Sequence, residues 1–290
     1  MRILDLPECP ACGARTFRTF DLGGGNVLRR CDTCGTVSAL DYADPSEVYV
    51  DGYMFGEAGP FGLDVTAPLF QQYLSRVADR RVAMIERASG VRAGRLLDVG
   101  CGTGEVLAAA RERGWTTHGV EPERTAPENS FDVVTAFHVL EHQPDSRAFL
   151  RSLARWARPG GFVAVEVPNF RSVQRRRLGQ GWPGLRPREH LVHFTPQTLA
   201  DTMVRAAIKP LLVRSPAYLG PPQNLEHALV DLVRLGRYRR VLERFSTRSS
   251  PHGETALYPT RLGWGILRAT EWIYDRAGVG TVAVCVGITW

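Results

Sequence analysis

The chain has 290 residues (32.1 kDa), of which 44% are apolar and 23% charged. These values exclude wholesale disorder, collagen and coiled coil, and suit one large α/β domain with something appended. The net charge of +6 rests on 35 Arg against a single Lys, Lys209, and only Arg175 to Arg177 and Arg237 to Arg240 cluster, so a stripe tracking nucleic-acid phosphates is the weaker reading. The longest uncharged apolar run, Val279 to Trp290, falls short of the about 20 residues of a membrane span. Arg2, Asp5 and Glu8 stand where a signal peptide would need an apolar core, and the chain reads as cytoplasmic.

Four of the six cysteines lie in the first 34 residues, as Cys9-Pro-Ala-Cys12-Gly and Cys31-Asp-Thr-Cys34-Gly. Each Cys-x-x-Cys turn puts two thiols on one side of a tight loop, and the trailing glycine lets the chain turn back. Two such turns complete a closed tetrahedral zinc site of the structural kind. A hairpin at Gly23-Gly24-Gly25-Asn26 is expected between them, so residues 1–45 read as a zinc ribbon. A redox dithiol, an iron site and disulfides are the competing readings. A closed site of this kind does no chemistry; it lets a segment too short for its own core fold as a unit.

Asp41 to Gly62 reads as an extended linker, followed by a helix over Ala67 to Ala88; together they make 46–92 a linker and lid helix. An apolar strand, Arg95 to Val99, then ends in Gly100-Cys101-Gly102-Thr103-Gly104. A helix from Glu105 to Arg113 and a strand from Thr116 to Val120 lead to Glu121. Strand, glycine turn, helix, strand and acid make a nucleotide-type βαβ unit, in which glycines let the backbone approach a ligand and the acid takes ribose hydroxyls.

With Asp98-Val-Gly-Cys-Gly-Thr-Gly104 and Glu121, the sequence resembles the class I S-adenosylmethionine-dependent methyltransferases. Ser130 to His142, the Arg158-Pro-Gly-Gly161 turn with its strand to Asn169, and Glu189 to Leu199 resemble later motifs of that family. The resemblance is to a branch with an N-terminal zinc ribbon that includes sugar and small-molecule enzymes. It implies a Rossmann-like, doubly wound, mostly parallel sheet over 93–290. It also implies methyl transfer from S-adenosylmethionine to a small-molecule or sugar acceptor, at O or C. Asp98, Gly100, Cys101, Gly102 and Gly104 would line the methionine and ribose, with Cys101 packing rather than reacting. Glu121 would hold the ribose hydroxyls, and Phe137 and His138 would flank the methionine. Glu189-His190 matches a Glu-His pair of the sugar C-methyltransferases, although Pro187 replaces a Tyr found there. His190 is the candidate general base, since imidazole titrates near working pH. His138 and His142 are its rivals, His142 being the one expected to pin the turn before Pro144.

Only nine residues, Pro122 to Ser130, separate Glu121 from Phe131, where the family spends about thirty on a helix, the third strand and another helix. A crossover with a helix needs at least about 10–12 residues, so the third strand is expected to be missing, and with it the acid that binds adenine.

Further on, Asp145 to Arg158 reads as an amphipathic helix, Thr195-Pro196 as the start of another, and Pro210 to Leu219 and Thr281 to Thr289 as strands. Residues 223–277 read as a helical insertion whose Leu225, Leu229, Leu232, Val233 and Trp272 face the core, although a basic helix there could also touch a membrane surface. Two further functions stand beside small-molecule methylation. An RNA methyltransferase would want a basic, aromatic ribbon, yet residues 1–34 carry five Arg against four acids, with Phe17 and Phe20 as the only aromatics. A non-catalytic remnant would follow from the short crossover.

Overall fold

Leu96, Leu97, Val99, Val133 and Val163 to Val165 are short apolar runs without turn residues, as strands covered on both faces must be. A computed structural model shows the architecture they build. It describes residues 3–23, 25–43, 68–186, 189–217, 246–248, 257–259 and 261–290.

The N-terminal segment holds β1 (Ile3–Asp5), β2 (Phe17–Asp21), β3 (Val27–Cys31), β4 (Val37–Ala39) and β5 (Asp41–Ala43). The expected hairpin joins β2 to β3, closed by Asn26 N–H on Gly23 O at 3.2 Å. β5 pairs with β1, taking up the start of the expected linker; 44–67 lie outside the described residues.

Helix α1 (Pro68–Ser89) leads to β6 (Arg95–Val99), α2 (Glu105–Glu112), β7 (Thr116–Val120) and β8 (Phe131–Phe137). Then come α3 (Ser146–Trp156), β9 (Ala157–Pro168), α4 (Val173–Leu178), the two-residue β10 (Val192–His193), α5 (Pro196–Arg205) and β11 (Ile208–Arg214). Asp145 caps α3 by accepting from Ala148 N–H at 2.8 Å. Thr195 caps α5, reciprocally with Thr198 and with Pro196 following, as the sequence signals.

The central sheet has the order β11-β14-β9-β8-β6-β7, where β14 is Val282–Thr289. β7, β6, β8 and β9 are parallel; β14 runs antiparallel to β9, and β11 antiparallel to β14. Among the described residues β7 is the outer strand, and the place of a third strand beyond it is empty, as the nine-residue crossover predicts. That crossover runs back as an irregular connection on the α3 face, with Asn129 N–H bonded to Arg155 O and Ser130 N–H to Trp156 O.

One face of the sheet buries Ala78, Val82 and Ile85 of α1 and Val106, Leu107 and Ala110 of α2. The other buries Phe149, Leu150 and Leu153 of α3 and Leu199 and Met203 of α5. Leu6, Cys9, Ala11 and Cys31 of the ribbon belong to that second core. The ribbon also takes its outermost strand from the sheet domain, because β10 pairs with β4 (Val192 opposite Ser38), giving the order β10-β4-β3-β2.

Of the insertion expected over 223–277, residues 218–245, with Leu225, Leu229, Leu232 and Val233, lie outside the described residues. The described part is not wholly helical: β12 (Ser246–Arg248) and β13 (Leu257–Pro259) pair before α6 (Arg261–Arg276). Trp272 does not face the core; it is 60% exposed, with Arg276 over its ring. Helical periodicity shows that a helix has a face, not which face is covered.

Candidate functional site

The parallel strands β6, β7, β8 and β9 all end on one side of the sheet, and the candidate residues stand there. Asp98, near the end of β6, is 3% exposed and accepts the Thr135 hydroxyl at 2.6 Å. Burial raises its carboxyl to about 7 despite the Thr135 hydrogen bond, which lowers it. Gly100, Gly102 and Gly104 follow with φ of 73, 48 and 85°, the left-handed region that favours glycine. A Cβ on Gly100 would lie 2.4 Å from Val139 Cγ2, whereas one on Gly104 would meet nothing within 4 Å. The loop is therefore tight against β8's continuation and open at the start of α2. Gly100 N–H donates to Val120 O at 2.7 Å, which sets Glu121, exposed at the end of β7, beside the loop.

Cys101 turns inward, its Sγ 2.7 Å from where a Cβ on Gly119 would stand, and donates to Glu121 Oε1 at 3.7 Å. Burial and then the Glu121 charge push its thiol up, so it stays protonated. That environment suits a packing residue rather than a nucleophile.

β8 delivers Phe137 and then His138, whose φ of 58° aims its ring between two buried carboxylates. Nδ1 lies 3.3 Å from Glu141 Oε1 and Nε2 3.2 Å from Glu166 Oε1. Arg81 of α1 binds the same Glu166 oxygen, with Nε at 3.1 Å, and its guanidinium lies 4.7 Å over the Phe137 ring. Burial opposes charge on Glu166 and His138, but their contacts outweigh it: Glu166 falls to about 2 and His138 rises to about 9. The two carboxylates thus favour the protonated ring, 43% of whose side chain still reaches solvent.

A second group forms where the turn Leu140–His142 meets the loop before β10. His142 Nδ1 donates to Glu189 O at 2.9 Å and His190 Nδ1 to Gly184 O at 3.0 Å. The two rings meet edge to face with centroids 4.7 Å apart. Glu141 reaches them from below, and its Oε2 is buried without a hydrogen-bond partner. Burial lowers His142, and lowers His190 to about 4, so both rings are neutral. His190 is 6% exposed. The Glu189 carboxylate pairs with Arg186 at 2.7 Å, so its backbone carbonyl, rather than its charge, faces His142. His142 thus ties its turn to the 189–190 loop through the Glu189 carbonyl.

The four ribbon thiols lie within 4.8 Å of one another, Cys9 from Cys34 and Cys12 from Cys31 at 3.6 Å each. Four sulfurs around one zinc at 2.3 Å stand about 3.8 Å apart, so the donor set and spacing fit that ion. None of the six cysteines is in a disulfide. Gly13 and Gly35, with φ of 78 and 73°, return their N–H groups to Cys9 O and Cys31 O at 2.8 and 2.9 Å. The two turns are equivalent.

Arg81 and Glu166 escaped the sequence reading. The available signal was a lone acid inside the apolar run Phe162 to Val167, which must find a cation when both faces are covered.

A family model described as a methyltransferase domain matches residues 70–207. The ubiquinone biosynthesis O-methyltransferase of Escherichia coli O9:H4 is 29% identical over 167 residues, covering 47% of this chain and 66% of that protein, just under two thirds of its length. Because 167 aligned positions span less than half of a 290-residue chain, that relative has positions this chain lacks. Among solved structures, the 1,6-didemethyltoxoflavin-N1-methyltransferase of Burkholderia thailandensis matches at 15% identity, TM-score 0.46, covering 94% of this chain and 99% of that one. The phosphoethanolamine N-methyltransferase 2 of Haemonchus contortus matches at 13% identity, TM-score 0.48, covering 86% and 62%. The matched stretch, residues 70–207, contains the glycine loop, Glu121 and the histidine–carboxylate groups beyond the sheet, and in it the chain is similar to methyltransferase domains.

Proposed function

We propose that the chain transfers a methyl group from S-adenosylmethionine to an oxygen or carbon of a small-molecule acceptor. One observation carries the reading: the glycine loop, Glu121 and the histidine–carboxylate groups stand together beyond the carboxyl ends of parallel strands, where open α/β sheets meet their ligands. The name of the E. coli relative, an O-methyltransferase acting in ubiquinone biosynthesis, supports an oxygen acceptor.

S-adenosylmethionine supplies a methyl group already activated on a sulfonium, which leaves positioning, exclusion of water and one proton to the protein. Gly100, Gly102 and Gly104 admit a ligand to the backbone, and Gly104 opens onto free space. Glu121 takes ribose hydroxyls, Asp98 and Cys101 support the loop from below, and Phe137 and His138 flank the methionine end. His138, protonated, holds its place between Glu141 and Glu166. His190 is the proton acceptor, because its neutral ring donates through Nδ1 and keeps a lone pair on Nε2. Cys9, Cys12, Cys31 and Cys34 hold one zinc ion with a structural role. The near-balanced charge of the ribbon argues against RNA as its partner. Among the described residues no helix is long and apolar enough to cross a membrane.

Among the described residues nothing stands beyond β7 where a third strand would support adenine, so affinity should be modest. Calorimetry is expected to give a dissociation constant above about 1 μM, with Gly102→Val abolishing binding by forcing a side chain into a left-handed position. Submicromolar affinity would mean another segment closes the adenine side; no binding at all would leave the fold as a binding module. With the acceptor in hand, His190→Ala should lower turnover by about 10²-fold or more at unchanged cofactor affinity, and full activity would exclude His190 as the base.

A further inference from the structure

We propose that Glu141, His142 and His190 form a second metal site, taking a divalent ion of the zinc class through two imidazole nitrogens and one carboxylate oxygen. One donor atom from each lies within 4.8 Å of the others. Donors of one tetrahedral zinc ion stand about 3.4 Å apart, so the three need to close by at most roughly 1.5 Å. Glu141 is 1% exposed and its Oε2 has no hydrogen-bond partner. A buried carboxylate oxygen is costly unless it is paired or coordinates a cation, and a carboxylate oxygen of Glu141 stands within reach of both imidazoles.

The surroundings match what metal ligands need. Each histidine donates Nδ1–H to a backbone carbonyl, His142 to Glu189 O and His190 to Gly184 O. That bond fixes the tautomer and puts the lone pair on Nε2. Glu141 is itself oriented, since its other oxygen takes His138 Nδ1 at 3.3 Å. The histidines come from segments 48 positions apart, the turn after β8 and the loop before β10, so their convergence is a property of the fold. Unlike the ribbon, the set supplies three ligands and leaves one coordination position open, as catalytic zinc sites do.

The site does not depend on methyl transfer, but one consequence rests on that reading. The two roles exclude each other: His190 is the proton acceptor only in the metal-free site, and with the ion bound it is a ligand instead. An acceptor hydroxyl entering the open position would then lose its proton to water as its oxygen binds the ion.

The test loads the chelator-stripped 290-residue chain with cobalt(II) and counts metal after dialysis. Two equivalents are expected: one with intense sulfur charge-transfer absorption from the ribbon, the other with only weak ligand-field bands. Glu141→Gln and His190→Asn should each lose the second signal and keep the first. One equivalent in the wild type, carrying only the sulfur bands, overturns the proposal, as do variants that retain both equivalents. Should the variants fail to fold by circular dichroism, the wild-type titration decides alone, a second equivalent without added sulfur absorption supporting the site. Cofactor binding without this equivalent sinks the metal site alone; the equivalent without cofactor binding sinks the methyl-transfer reading alone.

Discussion

Asp98 sits among Leu96, Leu97 and Val99, and the burial that raises it to about 7 has a measurable consequence. An unfolded aspartate titrates near 3.8. Between those values the folded chain keeps a proton that the unfolded chain has released. The linked stability is therefore full below about pH 4 and lost as pH rises through about 7. Asp98→Asn removes the titration, so urea unfolding from pH 4 to 8 should give a flatter profile than the wild type; parallel profiles would assign the dependence to other groups. The Arg81–Glu166 pair runs the opposite way, since losing the cation leaves a charge inside the sheet. Arg81→Met should cost about 3 kcal/mol, the lower end for a broken buried pair because His138 still touches the same oxygen. A loss under about 1 kcal/mol in urea unfolding at pH 7 would mean His138 alone suffices. The sequence could not show this pair. Its members are 85 positions apart, and only the passage of α1 across β9 brings them together.

What the sequence tells about an element depends on how local its cause is. The glycine loop, the Asp145 and Thr195 caps and the ribbon turns are set by residues within a few positions of one another, so spacing reveals them. β10 is two residues long and has no period of its own; it is a strand because β4 offers it an edge. Trp272 failed for the same reason in reverse, its helix being legible and its environment not. Glu141, His142 and His190 were each noticeable, yet their meeting depends on a loop whose path no short motif encodes. The pairing of β10 also alters what loss of metal should do. Cys9 and Cys31 share a core with Leu150 and Leu191, and Arg147 N–H of α3 donates to Pro10 O at 3.2 Å. Cys9→Ser should therefore loosen the 189–193 loop along with the ribbon. Hydrogen exchange is expected to speed up at Val192 and His193 while β6, β8 and β9 keep their protection. Unchanged exchange at β10 would show that the ribbon unfolds alone.

Across the whole molecule, the missing third strand followed from counting residues, because nine positions hold a bare crossover and not a helix with a strand. Which layer the crossover travels in, and that the ribbon shares that layer's core, came only with the structure. The β4–β10 pairing finally bears on how the chain is made. Its two strands lie about 150 positions apart, so at 5–20 residues per second β10 leaves the ribosome roughly 8–30 s after β4. Through that interval β4 has a bare edge, the kind that recruits foreign strands. All four ribbon cysteines are already out, so early capture of a metal would order the nascent ribbon before its last strand exists. Starved of zinc, the growing chain would present that edge on a disordered segment, and its losses should appear as aggregation during synthesis.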